Sequence, residues 1–125
     1  MTSNEGYDII KTSPFGNTMT TDFALSAIEA EGLGDDEFTD FLTISYSSTD
    51  YVGHVFGASS LEMEDNLLRL DKTLASLLKF IDEEIGLDKT LVVLSADHGG
   101  AEVPEYLAQY GYDAKYVDTE GWDKE

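Results

Sequence analysis

Residues 59–86 read SSLEMEDNLLRLDKTLASLLKFIDEEIG. Leu67, Leu70, Leu74, Leu77, Leu78, Ile81 and Ile85 recur at three- and four-residue intervals, which stacks them on one face of a helix. Charged residues fill the opposite face. Ser59 and Glu62 have the spacing of a capping box, and Gly86 stands where a left-handed C-terminal residue is wanted. This is the clearest element in the chain, and its two flanks decide the architecture it serves.

Upstream, EFTDFLTISYSS (37–48) is rich in Phe, Thr, Ile and Tyr and reads as a buried strand at about Asp40–Tyr46. Downstream, KTLVVLS (89–95) is apolar without alternation, as in a parallel strand covered on both faces. Strand, long helix, strand is a right-handed crossover unit by default, so the two strands run parallel and end on one edge. The expected fold class is therefore α/β, with a parallel βαβ core and flanking helices. TTDFALSAIEAEGLG (20–34) reads as one such helix, with Thr20 or Thr21 as its cap. Phe23, Ala24, Ala27 and Ile28 form its stripe, and Gly32 or Gly34 ends it. Pro104 opens a short helix in VPEYLAQY (103–110) that Gly111 stops, and AKYVD (114–118) reads as a short third strand. No repeat, low-complexity tract or linker divides residues 1–125. The length is one domain's worth of chain, or a piece of a larger domain.

Apolar residues make up 42% and aromatic residues 11%, which suits a globular protein. The absence of cysteine excludes disulfides and thiolate metal sites. No apolar run approaches the ~20 residues that span a bilayer. The opening stretch, MTSNEGYDIIKTSP, lacks a basic patch followed by an apolar segment, so no signal peptide is expected from it. Seven basic residues against 26 acidic ones give a net charge of −19, and Arg69 is the one arginine. Binding to nucleic acid through counterion release needs clustered Lys and Arg, so polyanion partners are not expected. An acidic surface attracts cations. For most of these acids, a solvated helix face is the plainest account.

Asp50 and Asp97 stand apart from that account. The chain has two histidines. His54 lies in SSTDYVGHVFG (47–57), four residues after Asp50; His98 lies in LVVLSADHGG (91–100), next to Asp97. Each pair follows one of the two expected strands, so both are carried to the edge where open α/β sheets bind ligands. Carboxylate oxygen and imidazole nitrogen are ordinary zinc ligands, and manganese or iron accepts the same atoms. Gly53, Ser95, Ala96, Gly99 and Gly100 leave room for a close approach. Taken singly, each pair reads equally well as a histidine hydrogen-bonded to an acid in a loop. The convergence of both pairs on one edge favours a shared cation.

TDFLTISYSSTDYVGHVFG, the helix with LRLDKTLASLLKFID, and TLVVLSADHGG together resemble the alkaline phosphatase superfamily. The nearest branch is that of the phosphate-irrepressible bacterial alkaline phosphatases and the type I phosphodiesterase/nucleotide pyrophosphatases. SPFGNTMTTDFALSAIEAEGLG and VPEYLAQYGYDAKYVD resemble its flanking segments, so the likeness runs from about Lys11 to Asp118. It implies a fragment of a three-layer α/β/α fold, a single partial domain from the middle of a larger catalytic domain. It also implies a site for two zinc ions, with Asp50 and His54 on one ion and Asp97 and His98 on the other. The family completes these sets with a downstream histidine, an upstream aspartate and an upstream Ser or Thr nucleophile, and none of the three is identifiable here. Thr12, Ser13, Thr18, Thr20 and Thr21 read as cap and turn residues.

The activity implied for the whole enzyme is hydrolysis of a small phosphate monoester by two-step, in-line phosphoryl transfer through a phosphoenzyme. The isolated chain is expected to be inactive, to bind zinc weakly, and to self-associate through unpaired strand edges. A periplasmic or extracellular location is what the family suggests. Two other classes stay open: a phosphodiesterase, pyrophosphatase or other hydrolase of the superfamily, and a non-catalytic acidic cation-binding module.

Overall fold

The computed structural model describes residues 9–117, and within them the architecture is helical. Helix α1 spans Pro14–Glu31, α2 Ser47–Phe56, α3 Leu61–Glu84 and α4 Pro104–Gln109, with a 3-10 turn at Leu87–Lys89 after α3. Helices α1, α2 and α3 pack against one another. The parallel βαβ core is not present: no strand occurs among the described residues. Segments 39–46 and 90–96 are irregular, although Thr90 has extended dihedrals of φ −114° and ψ 124°. The apolar side chains that suggested strands are on the surface, Phe41 and Leu91 at 89% exposure. A strand is not a local structure, because its N–H and C=O groups need a neighbour to pair with. These two runs find no ladder partner among the described residues, so their β-propensity goes unused. Residues 114–117 of the expected third strand are irregular as well, and Asp118 lies outside the described residues, as do the first eight.

Helix α1 starts earlier than the threonines suggested. Pro14 occupies its first turn, where a fixed φ helps and a missing N–H costs nothing. Its buried line is Asn17, Thr21, Ala24 and Ile28, spaced by four, three and four. Phe23, expected in the stripe, faces solvent. Gly32 closes the helix in the left-handed region at φ 64°, and Leu33 N–H reaches back to the Ile28 carbonyl at 3.0 Å.

Helix α3 is capped by Ser60 rather than Ser59: the Ser60 Oγ accepts from Met63 N–H at 3.1 Å. Leu77 is buried, and Leu70, Leu74, Leu78, Ile81 and Ile85 are half-buried, while Leu67 is exposed. The tightest point of the three-helix body is polar. Asn17 Nδ2 donates to Thr49 Oγ1 at 3.0 Å and to Asn66 Oδ1 at 3.2 Å. Asn66 Nδ2 donates to the same Thr49 Oγ1 at 3.2 Å. One residue from each helix thus meets in a single knot. Thr21 Oγ1 and Tyr46 Oη, 2.9 Å apart, tie α1 to the residue just before α2.

Candidate metal centre

Helix α2 is the sequence SSTDYVGHVF, ten helical residues where the sequence signalled no helix. Asp50 falls in its first turn and His54 in its last, the favourable ends for a negative and a positive group against the helix dipole. Gly53 lets α2 lie close to α3, since a Cβ there would lie 3.0 Å from Met63 Cε. The knot at Thr49 fixes the start of the helix, and Asp50 is the next residue. Four-residue spacing then puts Asp50 and His54 on one face.

His98 arrives from a bend of its own. Asp50 Oδ1 lies 3.1 Å from His54 Nε2 and 3.2 Å from His98 Nε2, so one carboxylate oxygen sits between two imidazoles. The ring centroids are 5.9 Å apart. One donor atom from each of Asp50, His54 and His98 falls within 4.8 Å of the others. Asp97 stays at the margin: its Oδ1 accepts from His98 N–H at 3.1 Å, its Oδ2 is 3.7 Å from His98 Nε2, and the side chain is 89% exposed. Of the four residues picked out in the sequence, three are gathered and the fourth is adjacent.

The electrostatics of His98 explain what this cluster wants. His98 Nδ1 lies 2.9 Å from the Gly99 carbonyl, which can only accept. With the proton on Nδ1, a neutral ring would aim the Nε2 lone pair at a carboxylate oxygen. A proton or a bound cation between them relieves that repulsion. In the metal-free chain the Gly99 carbonyl, then Asp97 and Asp50, raise the His98 pKa above the usual imidazole value. Two imidazole nitrogens and one carboxylate oxygen are also the donor set of a catalytic zinc site that keeps a position open. The residues present fit a divalent ion of that type.

Four of the five candidate hydroxyls are engaged in structural hydrogen bonds. Thr12 and Ser13 donate to the Ile9 and Ile10 carbonyls and Thr20 to the Gly16 carbonyl, while Thr21 bonds Tyr46. Sequence reasoning missed one participant near the site. Glu102 accepts from the backbone N–H of Ser59 at 3.3 Å and from the Ser59 hydroxyl. A tie between residues 43 apart leaves no local signal in a sequence.

Comparison with known proteins supplies the family context. The sequence pattern of the type I phosphodiesterase / nucleotide pyrophosphatase family matches residues 4–125. A calcium-transporting ATPase of Myroides odoratus is 47% identical over 122 residues, 96% of this chain and 22% of that protein. Alkaline phosphatase PafA of Elizabethkingia meningoseptica is 52% identical over 93 residues, 74% of this chain and 17% of that protein. The crystal structure of wild-type alkaline phosphatase PafA superposes with a TM-score of 0.80 at 47% identity, over 82% of this chain and 20% of that one. The chain spans about a fifth of the length of the relatives it matches.

Proposed function

Because the chain belongs to the type I phosphodiesterase / nucleotide pyrophosphatase family, within the alkaline phosphatase superfamily, we propose that it is the metal-holding segment of a zinc-dependent phosphohydrolase acting on small phosphate monoesters. The observation that carries this reading is the single Asp50 oxygen flanked by two imidazole nitrogens at 3.1 and 3.2 Å. The names of the relatives, alkaline phosphatase and calcium-transporting ATPase, share the cleavage of a phosphorus–oxygen bond.

A bound divalent ion supplies positive charge against the oxygens of a phosphoryl group and its leaving group. The chain's own residues prepare for that in three ways. Helix α2 holds Asp50 and His54 in fixed register. The Gly99 carbonyl takes the hydrogen bond of His98 Nδ1, which commits Nε2 to the ligand role. Asp97 adds a second carboxylate beside His98, at the margin of this three-donor cluster. No hydroxyl in this segment is proposed as nucleophile, so the chain alone should not turn over an aryl phosphate. Robust turnover by the isolated chain, abolished by Asp97→Ala, would contradict that assignment.

Calorimetric titration with zinc tests the metal reading. Binding is expected for the wild-type chain and loss of it for the His54→Ala/His98→Ala double variant. Divalent-ion uptake that ignores both substitutions would instead identify a diffuse acidic cation binder. We further propose that the chain by itself associates through its exposed apolar runs, and that the whole protein works outside the cytoplasm, as its family suggests.

A further inference from the structure

We infer that Glu102 is a positioning residue: its carboxylate clasps Ser59 and thereby sets the distance between His98 and the Asp50–His54 face. This rests on the metal reading above and adds to it a residue that neither binds the ion nor neighbours a ligand. Two arms lead to the clasp. One runs from His54 to Ser59 and the other from His98 to Glu102. At their far ends, Glu102 Oε2 accepts from Ser59 N–H at 3.3 Å and Oε1 accepts from the Ser59 hydroxyl. At their near ends, His98 Nε2 meets Asp50 Oδ1 at 3.2 Å.

The packing between the arms is close enough to transmit a displacement. A Cβ on Gly57 would sit 3.2 Å from Val103 Cγ2 and 3.4 Å from Glu102 Oε2, and Gly57 itself has φ 96°, where glycine is favoured. A Cβ on Gly100 would lie 3.5 Å from Ala58 Cβ. The arms therefore run close together at these two glycines. The charge of Glu102 is also accounted for. The carboxylate lies at the residue preceding Ser60, the cap of α3, on the positive side of that helix's dipole.

Two measurements on the whole 125-residue chain test the clasp, one of them free of metal. With only two histidines, proton NMR gives two imidazole spin systems. Ring-to-ring cross-relaxation is expected in the metal-free wild type, lost in Glu102→Ala and Ser59→Ala, and kept in Ser59→Thr, which retains the hydroxyl. Zinc titration should show about ten-fold weaker binding for each alanine variant, with the double variant no weaker than either one. Far-UV circular dichroism, which reads α1–α3, confirms that the variants fold. Glu102→Gln keeps one acceptor oxygen and should fall between wild type and Glu102→Ala. If Glu102→Ala keeps the cross-relaxation, or if the losses of zinc affinity add, the clasp is refuted. If the cross-relaxation behaves as expected but the wild type takes up no zinc, the clasp stands and the metal reading fails.

Discussion

Removing Asn66 should cost this protein more than removing most of its leucines. Asn66 is 0% exposed in the middle of the α1–α2–α3 body. Its Oδ1 accepts from Asn17 and its Nδ2 donates to Thr49, both at 3.2 Å. In Asn66→Ala both bonds go. Thr49 keeps its 3.0 Å bond from Asn17, but the Asn17 amide is left with a hydrogen that has lost its acceptor. Asn17 is already short of partners, since its buried Oδ1 has none among the described residues. An unpaired buried polar group costs about 1–3 kcal/mol, so a loss of about 2 kcal/mol is expected. With a urea slope of about 1.5 kcal/mol/M, the unfolding midpoint should fall by more than about 1 M. Far-UV circular dichroism in urea measures this directly. Asn17→Ala should behave similarly, and the double variant should lose less than the sum by about 1 kcal/mol, because the two side chains share one knot. A midpoint within experimental error of wild type, or strict additivity, would refute the reasoning.

Other expectations bear on packing, the site and association. Gly16→Ala places a Cβ 2.0 Å from Ser48 Oγ and 3.1 Å from the Ile10 carbonyl. It should therefore destabilise by about 1–2 kcal/mol despite the better helix propensity of alanine, and a raised urea midpoint would overturn this. Asp50→Ala should abolish zinc uptake by calorimetry, whereas Asp97→Ala should retain most of it, because only Asp50 touches both imidazoles through one oxygen; equal losses would contradict the arrangement. Light scattering at rising concentration should show self-association driven by Phe41, Leu91, Val93 and Leu94, all exposed on unpaired segments. A monomer at every concentration would count against it.

The sequence revealed what depends on neighbours in the chain and concealed what depends on distant ones. The period of residues 61–84 is local and produced α3 as read, with the cap displaced by one serine. Segments 39–46 and 90–96 carry the right residues for strands, but a ladder is a property of pairs, and no partner strand stands beside them in the described chain. Helix α2 was overlooked because Gly53 and the β-branched Thr49, Val52 and Val55 are poor helix formers; burial of Ser48 and Val52 against the other helices outweighs propensity. The four metal candidates were legible by type and spacing, and two of them, Asp50 and His54, turn out to share a helix face rather than a loop. The long-range partners, Asn17 with Asn66 and Ser59 with Glu102, had no pattern to betray them.

Segment 90–96 has a biochemical consequence of its own. Proteases favour solvent-accessible chain outside regular structure, and this run offers Leu91, Val92, Val93 and Leu94 exposed and in neither helix nor strand. A nick there by an elastase-type enzyme would leave a helical piece bearing Asp50 and His54 and a short peptide bearing His98. The two pieces would still meet through His98 on Asp50 and Glu102 on Ser59. If the cluster holds zinc as proposed, the ion would join the two peptides, and a chelator would release the smaller one.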